Sequence, residues 1–334
     1  MIISRALVGI FVAGALLLPL SACTSSPHDA DERYYLVSAN IQIPYWQTAG
    51  AGFSKAGGEM KVRVEMVGPD SYDPKAEKDE FQRVVKLKPS GILVSAADAG
   101  LLQPEIDAAI GASIPVITID SDAPQSKRLL FVGTNNYQAG LMGGQVAAKR
   151  MQGRGTVAVF TMPGQKNLAE RLSGYREAFA AHPQIKIIEV VDIQGSGRVA
   201  FDKAREILAK HKNNVDGFVC LEALAGKEVA DVLDRTHLQG KTVVAMDTDD
   251  GTLEWIRKGM IVATIAHKPY TMAYYGLKTL DELHHHKPNL QDTSLLQGPF
   301  APLPTLVDTG ATLIDKDNLD AFIKARDAAA PKPK

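Results

Sequence analysis

Gly91-Ile92-Leu93-Val94-Ser95-Ala96 and Ile114-Pro115-Val116-Ile117-Thr118-Ile119-Asp120 decide the fold. Each is a nearly continuous apolar run of strand length, and the lack of polar alternation is what strands covered on both faces show. Runs of the same kind recur outward in both directions, at 34–39, 61–67 and 129–133. A second series occupies 156–161, 185–191, 217–221, 242–247 and 261–266. Amphipathic stretches lie between them, among them 74–87, 137–151, 170–181 and 198–210. Repeated strand-helix order implies parallel sheets with right-handed crossovers. Ten strands exceed one comfortable sheet core, so the reading is an α/β protein with two similar doubly wound parallel-sheet (Rossmann-like) lobes, split near 134–137. A long helix at 270–283, a Pro-containing stretch at 287–304 and an apolar run at 305–314 break the pattern. These late elements are expected to cross back and complete the two halves, giving a three-segment hinge with little freedom to twist.

The chain has 334 residues, 45% of them hydrophobic and 22% charged, which suits about two globular domains and excludes disorder and collagen-like repeats. A balance of 37 basic against 38 acidic residues argues against a nucleic-acid partner. Two cysteines cannot make a disulfide framework. At the N-terminus, Arg5 precedes an apolar run at 6–20 that is short for a membrane span and has the form of a secretory h-region. The junction Leu20-Ser21-Ala22-Cys23 resembles the bacterial lipobox, which implies cleavage before Cys23 and a lipid on its thiol. The polar stretch after it reads as a tether. The expected product is exported to the periplasm or cell envelope and held at a membrane surface without a spanning helix. Cys220, in an apolar run, reads as a buried unpaired thiol.

The order of markers resembles the periplasmic ribose-binding-protein family, the type I solute-binding proteins of ABC importers. Ser38 with Pro44-Tyr45-Trp46 follows the first strand, and Ile114 to Asp120 ends the fourth. Gly133-Thr134-Asn135-Asn136-Tyr137 resembles the family's first crossover, followed by Glu170-Arg171 with Gly174-Tyr175, Val244-Ala245-Met246-Asp247 and Ala263-Thr264-Ile265-Ala266-His267. LacI-type repressors share the fold but carry a DNA-binding helix-turn-helix where this chain has an export signal. The resemblance implies the periplasmic binding protein type I fold, a monosaccharide or related polyol as ligand, an ABC permease as partner, a monomer, no cofactor and no catalysis. Capture that feeds a chemoreceptor or sensor kinase is the alternative. The implied organisation is a signal peptide at 1–22, a tether at 23–33, an N-terminal lobe of 34–134 plus 268–298, a C-terminal lobe of 135–267 plus 299–325 and a flexible tail at 326–334.

Ligands of open α/β sheets sit outside the carboxyl ends of the strands. Those ends carry Asn40 and Gln42, then Asp120-Ser121-Asp122, Glu222 and Asp247. Carboxylates accept hydroxyl protons, and Tyr45 and Trp46 offer aromatic faces to the C–H side of a sugar ring. The resemblance assigns Tyr45 and Trp46 to ring packing, matches Asp120 and Asp247 to family aspartates, and places His267 where the family has a glutamine. Lys166 and Asn167 lie where a helix opens toward the cleft. Each has a structural alternative: helix capping for the two aspartates, core packing for the aromatics, hinge backbone for His267, an ion pair with Lys227 or Arg171 for Glu222, and solvated side chains for Lys166 and Asn167. The arginines that grip ribose in the family align with Ser121 and Ala169, and an asparagine aligns with Cys220, which speaks against ribose itself. Asp120-Ser121-Asp122 with Gly68-Pro69 is closer to the branch that binds rhamnose or autoinducer-2.

Two patterns are set aside. Gly195-Ser196-Gly197-Arg198-Val199-Ala200 fits a dinucleotide fingerprint but sits in mid-chain. His284-His285-His286 reads as a surface run at a helix end, so no metal site is expected.

Overall fold

The computed structural model describes residues 28–29, 31–286 and 301–329. The expected export signal, Cys23 and most of the expected tether, together with 287–300 and 330–334, lie outside the described residues. The first lobe is built from β1 (Arg33–Val37), α1 (Pro44–Met60), β2 (Arg63–Val67), α2 (Pro74–Lys86), β3 (Gly91–Val94), α3 (Ala99–Gly111), β4 (Val116–Ile119) and β5 (Phe131–Gly133). The second comprises α4 (Asn136–Arg150), β6 (Arg154–Thr161), α5 (Lys166–Ala180), β7 (Gln184–Asp192), α6 (Gly197–Lys210), β8 (Gly217–Cys220), α7 (Ala225–Arg235), β9 (Thr242–Met246), α8 (Asp250–Arg257) and β10 (Ala263–Ala266). The chain then returns through α9 (Pro269–His285) and β11 (Leu306–Asp308) before β12 (Thr312–Asp315) and α10 (Leu319–Ala329).

Two six-stranded sheets result, ordered β11-β5-β4-β3-β1-β2 and β12-β10-β9-β8-β6-β7. All pairings are parallel except that of β12 with β10. This is the expected doubly wound arrangement made twice, each sheet closed by a late strand. The central strands β3, β4, β8 and β9 are buried throughout, as their unbroken apolar runs require. Edge strand β2 alternates instead, with Val64 and Met66 turned inward and Arg63 and Glu65 exposed. Carboxylates start several helices: Asp73 accepts from Lys75 and Ala76 N–H at α2, Asp98 from Gly100 and Leu101 N–H at α3, and Asp249 from Gly251 and Thr252 N–H at α8.

The third crossing differs from the expected one at 298/299. Leu306–Asp308 still belongs to the first sheet, in register with Phe131 to Gly133. The apolar run at 305–314 is therefore two strands in two lobes. Gly310, at φ +79°, turns the chain from parallel to antiparallel pairing between them. Nor does a flexible tail begin at 326, because α10 runs to Ala329 and Arg326 Nη1 donates to Asp250 Oδ1 at 2.8 Å. At the other end, Arg33 already belongs to β1 and Glu32 is buried, so the end of the expected tether is part of the first lobe.

Candidate functional site

Between the lobes lies a cleft that opens to solvent and encloses about 610 Å³, the open mouth included. Residues beyond the carboxyl ends of β1, β3 and β4 line it from the first lobe, and those beyond β6, β7, β8 and β9 from the second. The sheet geometry thus delivers one polar set from each lobe to the same space.

The two central groups are related by the repeat. Asp120 follows β4 and Asp247 follows β9, and both take the left-handed conformation, at φ +62° and +65°. Aspartate tolerates this region better than most L-residues. The turn directs each carboxylate into the cavity, while the next residue points elsewhere. Asp120 Oδ1 accepts from Tyr45 Oη at 2.7 Å, and its Oδ2 accepts from Asn167 Nδ2 of the other lobe at 3.3 Å. Burial pushes the Asp120 carboxyl up, opposed mainly by the charge of Arg171. The Tyr45 phenol is held well above its usual range by burial and by Asp120, so it is a neutral donor. Trp46 is 6% exposed and meets Tyr45 edge to face at 5.3 Å, and both rings line the cavity.

Asp247 Oδ1 lies 3.0 Å from Nδ1 of His267, whose buried Nε2 has no partner among the described residues. His267 stands behind the aspartate and outside the cavity lining. Thr264 Oγ1 donates to Asp247 O at 2.7 Å and ties the same turn to β10. Glu222 lines the cavity and caps α7, accepting from Leu224 N–H at 2.6 Å and Ala225 N–H at 2.9 Å. This cap replaces the ion pair weighed for it, and burial raises its carboxyl to about 7. Asn40 lines the cavity with its buried Oδ1 unpaired, which leaves an acceptor for a ligand donor.

Besides His267, four expected contacts are placed elsewhere. Gln42 is exposed and donates from Nε2 to Asp70 Oδ1 at 2.9 Å. Ser121 is fully buried, with Oγ donating to Ala96 O at 2.8 Å, and joins the ends of β4 and β3. Asp122 forms a bidentate ion pair with Arg128 and accepts from Thr118 Oγ1 at 2.6 Å. Lys166 is exposed on the first turn of α5, 3.6 Å from Glu170, while its neighbour Asn167 points inward. Cys220 is buried in the second lobe's core, outside the cavity lining, and burial raises its thiol.

Arg171 is the functional candidate that sequence reasoning left out of the site. It is 3% exposed, lines the cavity and donates from Nε to Asn136 Oδ1 at 2.9 Å and from Nη1 to Leu221 O at 2.7 Å. The site therefore holds a guanidinium after all, two residues beyond Ala169. Gly140 brings α5 onto α4: a Cβ there would lie 2.0 Å from Arg171 O. The visible signal was Glu170-Arg171 ahead of Gly174, which marked a helix without showing which face met the cleft. At the mouth, Tyr72 of the first lobe and Gln165 of the second line the cleft together, and Gly195 abuts Tyr72. The fingerprint-like segment 195–200 is thus a lobe contact followed by a helix start, where Ser196 Oγ accepts from Val199 N–H at 3.4 Å.

A family model described as a periplasmic binding protein domain matches residues 34–288. A ribose import binding protein of Bacillus subtilis (strain 168) is 20% identical over 287 residues, covering 81% of this chain and 91% of the relative. A xylitol-binding protein of Mycolicibacterium smegmatis is 20% identical over 320 residues, covering 94% and 87%. Among solved structures, a glucose-galactose binding protein from Geobacillus stearothermophilus superposes with TM-score 0.79 at 28% identity, covering 87% of this chain and 99% of that one. An arabinose binding protein from the same organism gives TM-score 0.72 at 33% identity, covering 87% and 99%. Two parallel-sheet lobes around a shared cleft, matched by the domain model over most of the chain, place this protein in the periplasmic binding protein family, with the type I fold.

Proposed function

We propose that this protein is an extracytoplasmic, lipid-anchored binding protein that captures a monosaccharide or related polyol between its lobes and delivers it to an ABC import permease. The observation that carries the reading is the facing pair Asp120 and Asp247, one from each lobe, beside Tyr45 and Trp46. Buried carboxylates accept charge-assisted hydrogen bonds from hydroxyls, and the rings cover the apolar face of a pyranose or furanose. Arg171, Asn40 and Asn167 supply the complementary donors and acceptor. The relatives named for ribose, xylitol, arabinose and glucose-galactose support the same ligand class.

The mechanism is hinge closure. A ligand bridging both lobes favours the closed form by its differential affinity for the two states. Tyr45, Trp46, Asn40 and Asp120 bind from the first lobe, and Asp247, Asn167, Arg171 and Glu222 complete the site from the second. His267 positions Asp247 from the second crossing. Cys23 carries the lipid, and the protein acts as a monomer.

Calorimetric titration of the mature protein with pentoses, hexoses, deoxyhexoses and pentitols tests the ligand class. Submillimolar binding of at least one is expected; binding of an amino acid or nucleobase with no response to any sugar overturns it. If the partner is a sensor kinase or chemoreceptor instead, deleting the permease leaves the cellular response to that sugar intact.

A further inference from the structure

The triple-histidine run at the end of α9 divides by direction. His286 is largely exposed, with Nδ1 3.0 Å from Glu282 of its own helix. His285, still partly exposed, leans toward the start of the domain, its Nε2 3.2 Å from Glu32 Oε2 and 3.6 Å from Asp281 Oδ1. His28 approaches from the chain start, its Nε2 3.1 Å from both oxygens of Asp281. One donor atom from each of these four residues lies within 4.8 Å of all the others.

We propose that His28, Glu32, Asp281 and His285 form a divalent transition-metal site of the zinc type. Two imidazole nitrogens and two carboxylate oxygens are the mixed donor set that zinc and its neighbours accept. Metal–ligand bonds of about 2.0–2.2 Å set tetrahedral edges of roughly 3.3–3.6 Å, and the observed separations of 3.1, 3.2 and 3.6 Å lie within a few tenths of an ångström of that range. Asp281 and His285 are one helical turn apart and share a face of α9. Outer partners orient the carboxylates: Tyr34 Oη donates to Asp281 Oδ1 at 2.9 Å, and Asp29 N–H donates to Glu32 Oε1 at 2.7 Å, leaving Oε2 to the cluster. Glu32 is 5% exposed, and among the described residues no lysine or arginine pairs with it or with Asp281. One buried and one part-buried carboxylate this close call for a cation, and the imidazoles offer lone pairs to hold one.

The metal would staple the start of the domain to the last helix of the first lobe. If the lipid-anchor reading also holds, residues 24–27 alone would separate Cys23 from the staple and keep the lobe close to the membrane.

The test uses untagged full-length protein in detergent, titrated with Co2+ and then Zn2+. The expected result is one equivalent of Co2+ with the visible bands of tetrahedral coordination, displaced by Zn2+ and unaffected by Mg2+ or Ca2+. His28→Ala, His285→Ala and Glu32→Gln each weaken binding by about tenfold or more, whereas His286→Ala leaves it unchanged. Circular dichroism and, where a sugar has been identified, its binding report that each variant is folded. Absence of Co2+ binding at submillimolar metal, meaning histidine-carboxylate pairs only, overturns the proposal. So does binding that survives the paired His28→Ala and His285→Ala change but is lost on removing His284 and His286. Neither result bears on the cleft.

Discussion

The turns after β4 and β9 hold the same residue in the same conformation, yet their surroundings differ. Asp120 is met by a phenol from its own lobe and by an amide from the other. Asp247 is met by His267, which lies on the chain's second crossing between the lobes. The first lobe therefore carries an aromatic half-site organised around its carboxylate. In the second, the carboxylate is coupled to the hinge and Arg171 supplies the fixed charge. On the proposed function, a ligand docked on the first lobe would find the rings and one acceptor in place, while contact with Asp247 would require the lobes to close.

Replacing Asp247 by Ala gives the largest expected effect, a loss of sugar affinity of roughly 100-fold, which corresponds to about 3 kcal/mol for a charge-assisted bond in a buried site. Calorimetry checks it, and small-angle scattering with sugar present should show the variant more open than Asp120→Ala. Equal closure in both would remove the distinction between docking and closing lobes. Gly195→Ala is next, at about tenfold weaker binding. It strains a φ of +66° and sets a Cβ 2.3 Å from Tyr72 Cβ, so it opposes closure without touching the ligand. Unchanged affinity would show that Tyr72 yields.

Glu222 tests the second lobe by pH. Its folded carboxyl sits at about 7, above the ordinary glutamate value of 4.5, so the folded state holds its proton where the unfolded state has lost it. This contribution to stability is complete below 4.5, falls as pH rises and is gone above about 7, with a span on the order of 3 kcal/mol. Glu222→Gln should flatten that slope in denaturant melts; an unchanged slope assigns the pH dependence elsewhere, Asp120 first. The smallest effects belong to Gln42→Ala and Lys166→Ala, which should leave affinity within twofold and stability within about 0.5 kcal/mol. A tenfold loss at either position would extend the site beyond the present cavity.

Residues 120–122 show where sequence reading stops. Asp-Ser-Asp beyond a strand offers three polar candidates, and the left-handed turn at Asp120 decides among them. It sends the first carboxylate to the cleft, the hydroxyl of Ser121 to Ala96 O and the second carboxylate to Arg128. Asn40 and Gln42 differ in the same way, two residues apart in one loop, and Lys166 and Asn167 are separated by the rotation of a single helical step. Glu222 was legible as a strand-end carboxylate, but its capping of α7 depends on how that loop turns. The strands themselves were plain, because burial on both faces leaves an unbroken apolar run whatever its neighbours are.

Alternation of strand and helix, its repetition in two halves, the capping carboxylates at 73 and 98 and the lipobox-like junction at Cys23 are all carried by short windows of sequence, since periodicity and local hydrogen bonding act within a few residues. Tertiary structure alone decided the third crossing at 309–311, the inward face of α5 that brings Arg171 to the cleft, and the meeting of His28 with Asp281, 253 residues away. Such convergence depends on the packing of whole sheets and helices, where no one segment specifies what its side chains will face.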